Sequence, residues 1–125
     1  MKKPDYPDDK TLSDFLRGKP PYTIALFNHF VSTFRTVGAI TLHPAKTMIG
    51  VATPRKRIAY LTRLGKDFIH VVFSFPQAYP DNLCFQKIAQ VPGTNQYNHH
   101  FRMLHQDDIT EEVIRFMELA WKNGT

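Results

Sequence analysis

Residues 57–75 read RIAYLTRLGKDFIHVVFSF, and this stretch decides the fold because it predicts two strands joined by a turn at Gly65-Lys66. In its second half, apolar and mixed positions alternate with a period of two, which is typical of a half-buried strand. The apolar face consists of Ile69, Val71, Phe73 and Phe75. The first half places Ala59 and Leu61 on the core side. It places Ile58, Tyr60 and Thr62 on the other side. We therefore expect a hairpin with one core face and one mixed face.

Helical periodicity lies on both sides of this hairpin in the chain. After Pro20-Pro21, apolar residues recur at spacings of three and four as far as Val37. Further along, Asp108 stands three residues before Glu111 in the spacing of a capping box, and apolar residues follow at helical spacing. We expect both helices to pack on the hairpin. The expected core includes Phe27, Phe34, Val71, Phe73 and Trp121.

Three further strands are predicted by period-two patterns at residues 40–43, 48–52 and 96–104. Residues 84–91 are ambiguous by period, but their short length between prolines favours a strand. The order of elements predicts an α+β fold. We expect a two-layer sandwich, in which a mostly antiparallel sheet of five or six strands carries an N-terminal and a C-terminal helix on one face.

Length, charge and cysteine content limit the class of protein. The chain has 125 residues, with 16 basic against 11 acidic residues and a net charge of +5. We expect residues 1–11 to form a flexible arm and residues 12–125 a single α+β domain. The lone Cys84 excludes an intrachain disulfide, and no stretch approaches a membrane span of about 20 apolar residues or a signal peptide. These features predict a bacterial-type cytoplasmic protein without a membrane partner.

The mixed face of the predicted sheet is richer in aromatic and cationic residues than a solvated surface requires. The candidate ligand-binding residues are Tyr60, His70, His100, Arg102 and His43. His99 and His100 are adjacent in a strand, so they point to opposite faces and cannot chelate one metal ion together. Because no Cys or carboxylate stands at ligand spacing nearby, we predict neither a metal nor another cofactor. Solvated strand histidines are the simpler alternative.

Nucleic-acid binding is a second candidate, at the ends of the central hairpin. The basic residues there are Arg55, Lys56, Arg57, Arg63 and Lys66. Cations in this arrangement are typical of a wing that contacts phosphates, and the net charge favours polyanions. No aromatic residue is interleaved among them for base stacking, so we expect at most weak, sequence-blind association. A hairpin kept soluble by its cations is the simpler explanation.

Enzymatic motifs are missing from the sequence. It contains no glycine-rich phosphate loop, no His-Glu-x-x-His pair and no Gly-x-Ser-x-Gly elbow. Cys84 has no evident activating base beside it. The acidic pairs at 107–108 and 111–112 are explained by capping and by the helix dipole. One enzymatic alternative is left, a histidine base acting on a small anionic substrate.

Four short stretches resemble an uncharacterised bacterial domain family of unknown function: KTMIGV at 46–51, HHFRM at 99–103, DITEEV at 108–113 and AW at 120–121. The resemblance implies an α+β domain and brings no assigned catalytic residue. The architecture is also similar to frataxin-like proteins, which handle iron, and to MmcQ/YjbR-like proteins, which are regarded as DNA-binding. Residues 22–37 contain no carboxylate, so the acidic first helix of frataxin-like iron binding is missing.

The leading hypothesis is a small cytosolic, non-enzymatic binding module that uses the sheet face left open by the helices. Its expected partner is a small anionic ligand or another protein. Weak nucleic-acid binding and the histidine-base enzyme are the alternatives. The sequence predicts neither the identity of the ligand nor the oligomeric state.

Overall fold

The computed structural model describes residues 11–125, so the predicted arm lies outside the described residues except for Thr11. The helices are α1 (Leu12–Leu16), α2 (Pro21–Val37) and α3 (Glu111–Asn123), with a 3-10 turn at Gln106–Asp108 before α3. The strands are β1 (Thr41–Pro44), β2 (Ile49–Ala52), β3 (Arg57–Leu64), β4 (Ile69–Phe75), β5 (Lys87–Gln90) and β6 (Tyr97–Met103).

All six strands form one antiparallel sheet in the order β1-β2-β3-β4-β6-β5. The predicted hairpin is β3 with β4, and it lies at the centre of the sheet. Its turn is closed by a hydrogen bond of 2.8 Å from the Gly65 amide to the Phe68 carbonyl. Residues 84–91 contribute a strand only at 87–90, where β5 forms one edge of the sheet.

The core lies between one face of the sheet and the two long helices. Phe30 and Phe34 of α2 are fully buried, and so are Phe73 and Phe75 of β4. The rings of Phe34 and Phe73 are 6.3 Å apart, which joins the helix layer to the sheet layer. On α3, Val113, Phe116, Met117 and Ala120 are buried in the same cluster. The prediction of an α+β fold with both helices on one face is confirmed.

The connection between β4 and β5 covers the same face as the helices. Tyr79 and Phe85 pack on Phe116 of α3, with ring centroids 5.2 and 4.7 Å away. Phe116 was not among the expected core residues, whereas Trp121 was. Trp121 is half-buried and packs against the edge of this core, and its indole N–H donates to the Ala39 carbonyl at 3.2 Å. Its contribution to the core is therefore at the edge and not at the centre.

Two further expectations are corrected by local backbone geometry. Ile58 was expected on the mixed face, but it is 3% exposed and contacts the C-terminal end of α3 near Gly124. The register between β2 and β3 shifts at this point, and such a bulge breaks strict alternation. Asp108 does not cap α3. Its carboxylate accepts the amides of Leu104 and His105, and Thr110 is the N-cap.

Candidate functional site

The sheet face opposite the helices is defined by strand register, since residues paired across an antiparallel sheet share a face. One row of paired residues crosses all six strands: His43, Gly50, Tyr60, Val72, His100 and Lys87. A second row crosses three central strands: Arg63, His70 and Arg102. Both rows lie on the side away from the apolar face of β4. We call this surface the open face, because the described helices and the β4–β5 connection cover the other side.

The open face is cationic throughout. The six described strands contain four residues with permanent charge, Arg57, Arg63, Lys87 and Arg102, and not one Asp or Glu. All four are exposed. The carboxylates of the described residues lie in turns and helices, including Asp67 in the β3–β4 turn and Asp108, which accepts the Leu104 amide just after β6. Within the described strands, the permanent charges are therefore all positive.

Phe68 holds two of these cations at one end of the open face. The Arg102 guanidinium carbon lies 4.7 Å from the centre of the Phe68 ring, and that of Arg63 lies 5.6 Å from it. Both distances fit cation–π contacts. The ring fits closely over Gly65, where an added Cβ atom would come within 2.2 Å of it. Glycine in this turn thus allows the aromatic ring to support the two guanidinium groups.

His70 and His100 form a pair at the centre of the open face. Nε2 of His70 and Nδ1 of His100 are 2.9 Å apart, so one ring donates a hydrogen bond to the other. Burial lowers the pKa of His70 below 6.5, and the neighbouring His100 and Arg102 lower it further. Burial also lowers the pKa of His100, and Lys87 adds to the effect. At neutral pH the pair is uncharged and offers polar contacts between fixed cations.

The predicted ligand-binding residues share one face, but they do not form one cluster. Tyr60 is half-exposed beside the His70–His100 pair, and Arg102 adjoins it. His43 lies four strand positions from His100, which is about 19 Å at the usual strand spacing. Its Nε2 atom is 2.8 Å from the Thr41 hydroxyl. The suggestion that His43 assembles with the other histidines and Arg102 is therefore not supported by the geometry.

The basic residues of the hairpin divide into two groups. Arg57 and Arg63 belong to the open face, where the Arg57 side chain lies across Gly50, within 2.7 Å of the position of an added Cβ atom. Arg55 and Lys56 lie in the β2–β3 turn, and Arg55 donates to the backbone oxygen of Thr125 at 2.9 Å. Lys66 lies in the β3–β4 turn. The hairpin is flanked by β2 and β6, so it does not project as a wing.

Two residues of the open face were not among the predicted site residues. Lys87 lies on β5, whose period was ambiguous, so its side of the sheet could not be assigned. Phe68 shares the alternation of His70 and so falls on the mixed face, but nothing in the sequence indicates that it contacts two arginines. Cation–π contacts between strands depend on strand order, which single-strand periodicity does not specify.

Cys84 and His99 are two further titratable residues with shifted pKa values, and both lie away from the open face. Burial and a hydrogen bond to Glu112 raise the pKa of Cys84 to about 12, so its thiol is protonated at neutral pH. His99 is buried, with Nδ1 2.9 Å from the Tyr97 carbonyl and Nε2 accepting the Tyr79 amide. Residues 11–125 contain no group of three His, Cys, Asp or Glu side chains that could hold a metal ion. None of the described helices combines the length and apolar character needed to cross a membrane.

Comparisons with known proteins found no matching family model, no matching curated protein and no matching solved structure. None of these comparisons supports the resemblances suggested by the sequence.

Proposed function

We propose that the protein binds single-stranded nucleic acid on its open face, without reading the base sequence. The observation that carries this proposal is the combination of four strand cations with the half-exposed rings of Tyr60, His70 and His100, on one face whose strands contain no carboxylate. Proteins that bind single strands use cations for the phosphates and aromatic side chains for the bases. Here Arg57, Arg63, Lys87 and Arg102 would contact phosphates. Tyr60 and the rings of the His70–His100 pair would stack on bases.

The shape of the face favours an extended ligand over a small one. Six strands span about 24 Å, which accommodates several nucleotides. Two cavities of the described residues lie beside α1 and beside Tyr22, and neither is lined by Tyr60, His70 or His100. Small molecules usually bind in cavities that enclose most of their surface. Nucleic acid is therefore preferred to the small anionic ligand or protein partner as the occupant of this face.

The alternative of a histidine-base enzyme receives less support from the same geometry. His70 and His100 use one nitrogen each on the other ring, and no described carboxylate lies in their rows of the sheet. Such a pair lacks the orienting acid that usually accompanies a catalytic imidazole. With nucleic acid as the partner, we place the protein in the cytoplasm of a bacterial-type cell.

The first test compares two triple variants with the same loss of charge. Arg57→Gln, Arg63→Gln and Arg102→Gln alter the open face, whereas Arg35→Gln, Arg115→Gln and Lys122→Gln alter exposed positions on the helices. Binding of a labelled oligothymidylate of about fifteen nucleotides is followed by anisotropy over a range of salt concentrations. We expect the open-face variant to reduce the slope of log K against log salt by about two, since each phosphate contact on a single strand contributes about 0.7.

A further variant separates stacking from charge. Tyr60→Ala should weaken oligothymidylate binding by about 1–3 kcal/mol and leave binding of inorganic polyphosphate unchanged, because polyphosphate has no bases to stack.

Equal losses in the open-face and helix triple variants would contradict the proposal, since they would show that net charge alone controls binding. Thermal unfolding of each variant serves as the control for folding.

A further inference from the structure

A separate groove lies at one end of the sheet, beside the connection from α1 to α2. It has a volume of about 660 Å³ and is bounded by residues 14–20, by the β1–β2 turn at 46–47 and by residues 61–66 of β3 and its turn. Strand β2 begins at Ile49, which pairs with Leu61, so the last residues of β3 extend beyond it. The groove occupies the space beside that extension. Its size is typical of small-molecule sites.

Positive charge is concentrated around this groove. Five cationic side chains line it: Arg17, Lys19, Lys46, Arg63 and Lys66. The acidic residue that lines it is Asp14, whose carboxylate is 3.0 Å from the Arg17 guanidinium. This ion pair offsets the negative charge of Asp14. The positive charge of the groove that matters for ligand binding is therefore that of Lys19, Arg63 and Lys66. Cations that converge on a concave surface focus a positive potential into it.

The wall that carries Lys66 is fixed by a buried hydrogen bond. The Thr23 hydroxyl, 1% exposed on α2, lies 2.7 Å from the Gly65 carbonyl and 2.8 Å from the Lys66 carbonyl. On the opposite wall, the chain turns away from the end of α1 at Gly18, whose φ of +73° lies in the left-handed region that favours glycine. A site held by such contacts loses little conformational entropy when a ligand binds.

Apolar residues complete the lining of the groove. Leu61 and Leu64 are buried, and Phe15 and Pro20 are half-buried on the other side. A ligand that matches this lining has a compact uncharged part and a group with several negative charges.

We propose that the groove binds a phosphorylated small molecule of about the size of a nucleotide. Lys19, Arg63 and Lys66 contact the phosphates, and the apolar lining contacts the uncharged part. This site is distinct from the open face, although Arg63 borders both. The inference goes beyond the proposed function and stands without it.

Calorimetric titration with three probes tests the proposal: adenosine triphosphate, inorganic tripolyphosphate and adenosine. The variant Lys19→Gln with Lys66→Gln alters the groove, and Arg35→Gln with Lys122→Gln, at exposed helix positions, is the control of equal charge. We expect the groove variant to weaken adenosine triphosphate binding about tenfold or more, and the control to leave it within about twofold. Tripolyphosphate should bind more weakly than adenosine triphosphate, because it lacks the part that fills the apolar lining.

Oligothymidylate binding by the same variants distinguishes this inference from the proposed function. Arg57→Gln with Arg102→Gln should weaken oligothymidylate binding and leave adenosine triphosphate binding unchanged. If adenosine triphosphate binds the groove variant as tightly as the original protein, or if Arg57→Gln with Arg102→Gln weakens it equally, the groove is not the site. If groove-dependent adenosine triphosphate binding is found without any oligothymidylate binding, the proposed function fails and the groove inference stands.

Discussion

His99 and His100 are neighbours in β6 with different surroundings. His99 is fully buried among Phe75, Tyr79 and Phe85, with ring centroids 4.9–5.6 Å away. Burial lowers the pKa of His99, although the Tyr97 carbonyl partly offsets this. His100 lies on the open face and pairs with His70. Adjacency in a strand predicted opposite faces for the two rings, and this is confirmed. The sequence placed His70 and His100 in one candidate site, but their direct contact requires β6 to lie beside β4, which the period of each strand does not specify.

Stability should fall as the pH decreases from about 7 to 5. The pKa values of His70, His99 and His100 are lowered in the folded protein, and the unfolded value is 6.5. The unfolded chain therefore binds more protons once the pH falls below 6.5, which favours unfolding. The measurement is the free energy of urea unfolding at several pH values. Replacing His70 and His100 by Asn should reduce the pH dependence, and His99 should account for the remainder.

If the free energy of unfolding stays constant or increases as the pH decreases from about 7 to 5, the three histidines are not held neutral by the fold, and the prediction is contradicted. Carboxylates titrate mostly below this range, so they contribute little to the comparison. The variant His29→Gln, on α2 and away from the sheet pair, is the control for the loss of a histidine.

At the scale of elements, the β3–β4 hairpin was predictable because one face of β4 is entirely apolar. Ile69, Val71, Phe73 and Phe75 are fully buried, as their period requires. Strand β3 was only partly predictable, since its register shifts near Ile58 and again between Leu61 and Arg63. A bulge changes which side chains face the core without changing composition. The N-cap of α3 was predicted at Asp108 but is Thr110. Both side chains carry an oxygen suitable for capping, so the sequence could not distinguish between them.

Adjacent residues of β4 provide a direct test of the two faces. Phe73→Ala should lower the free energy of unfolding by about 3–5 kcal/mol, because Phe73 is fully buried and contacts Phe34, Phe75 and Phe85. Ser74→Ala, on the open face, should change it by about 0.5 kcal/mol or less. Denaturant unfolding of both variants gives the comparison. A loss below about 1 kcal/mol for Phe73→Ala would contradict the register of the central hairpin.

At the scale of the whole molecule, the two faces of the sheet have different roles. One face is covered by α2, α3 and the β4–β5 connection, and it accounts for the core. The other carries the strand cations, the His70–His100 pair and Tyr60. The sequence predicted that the candidate ligand-binding residues share this second face. It did not predict the separation of His43 or the groove beside α1, since both depend on strand order and on how α1 packs.

The measurement that tests the central claim most directly is amide chemical-shift mapping during titration with a single-stranded oligothymidylate at low salt. The open-face account predicts the largest changes in the central strands β3, β4 and β6, around Tyr60, His70, His100 and Arg102, with little change along the exposed sides of α2 and α3. Changes concentrated on the helices, or no change with about 1 mM oligonucleotide, above the dissociation constants of about 1–100 μM that are typical of non-specific nucleic-acid binding, would contradict it.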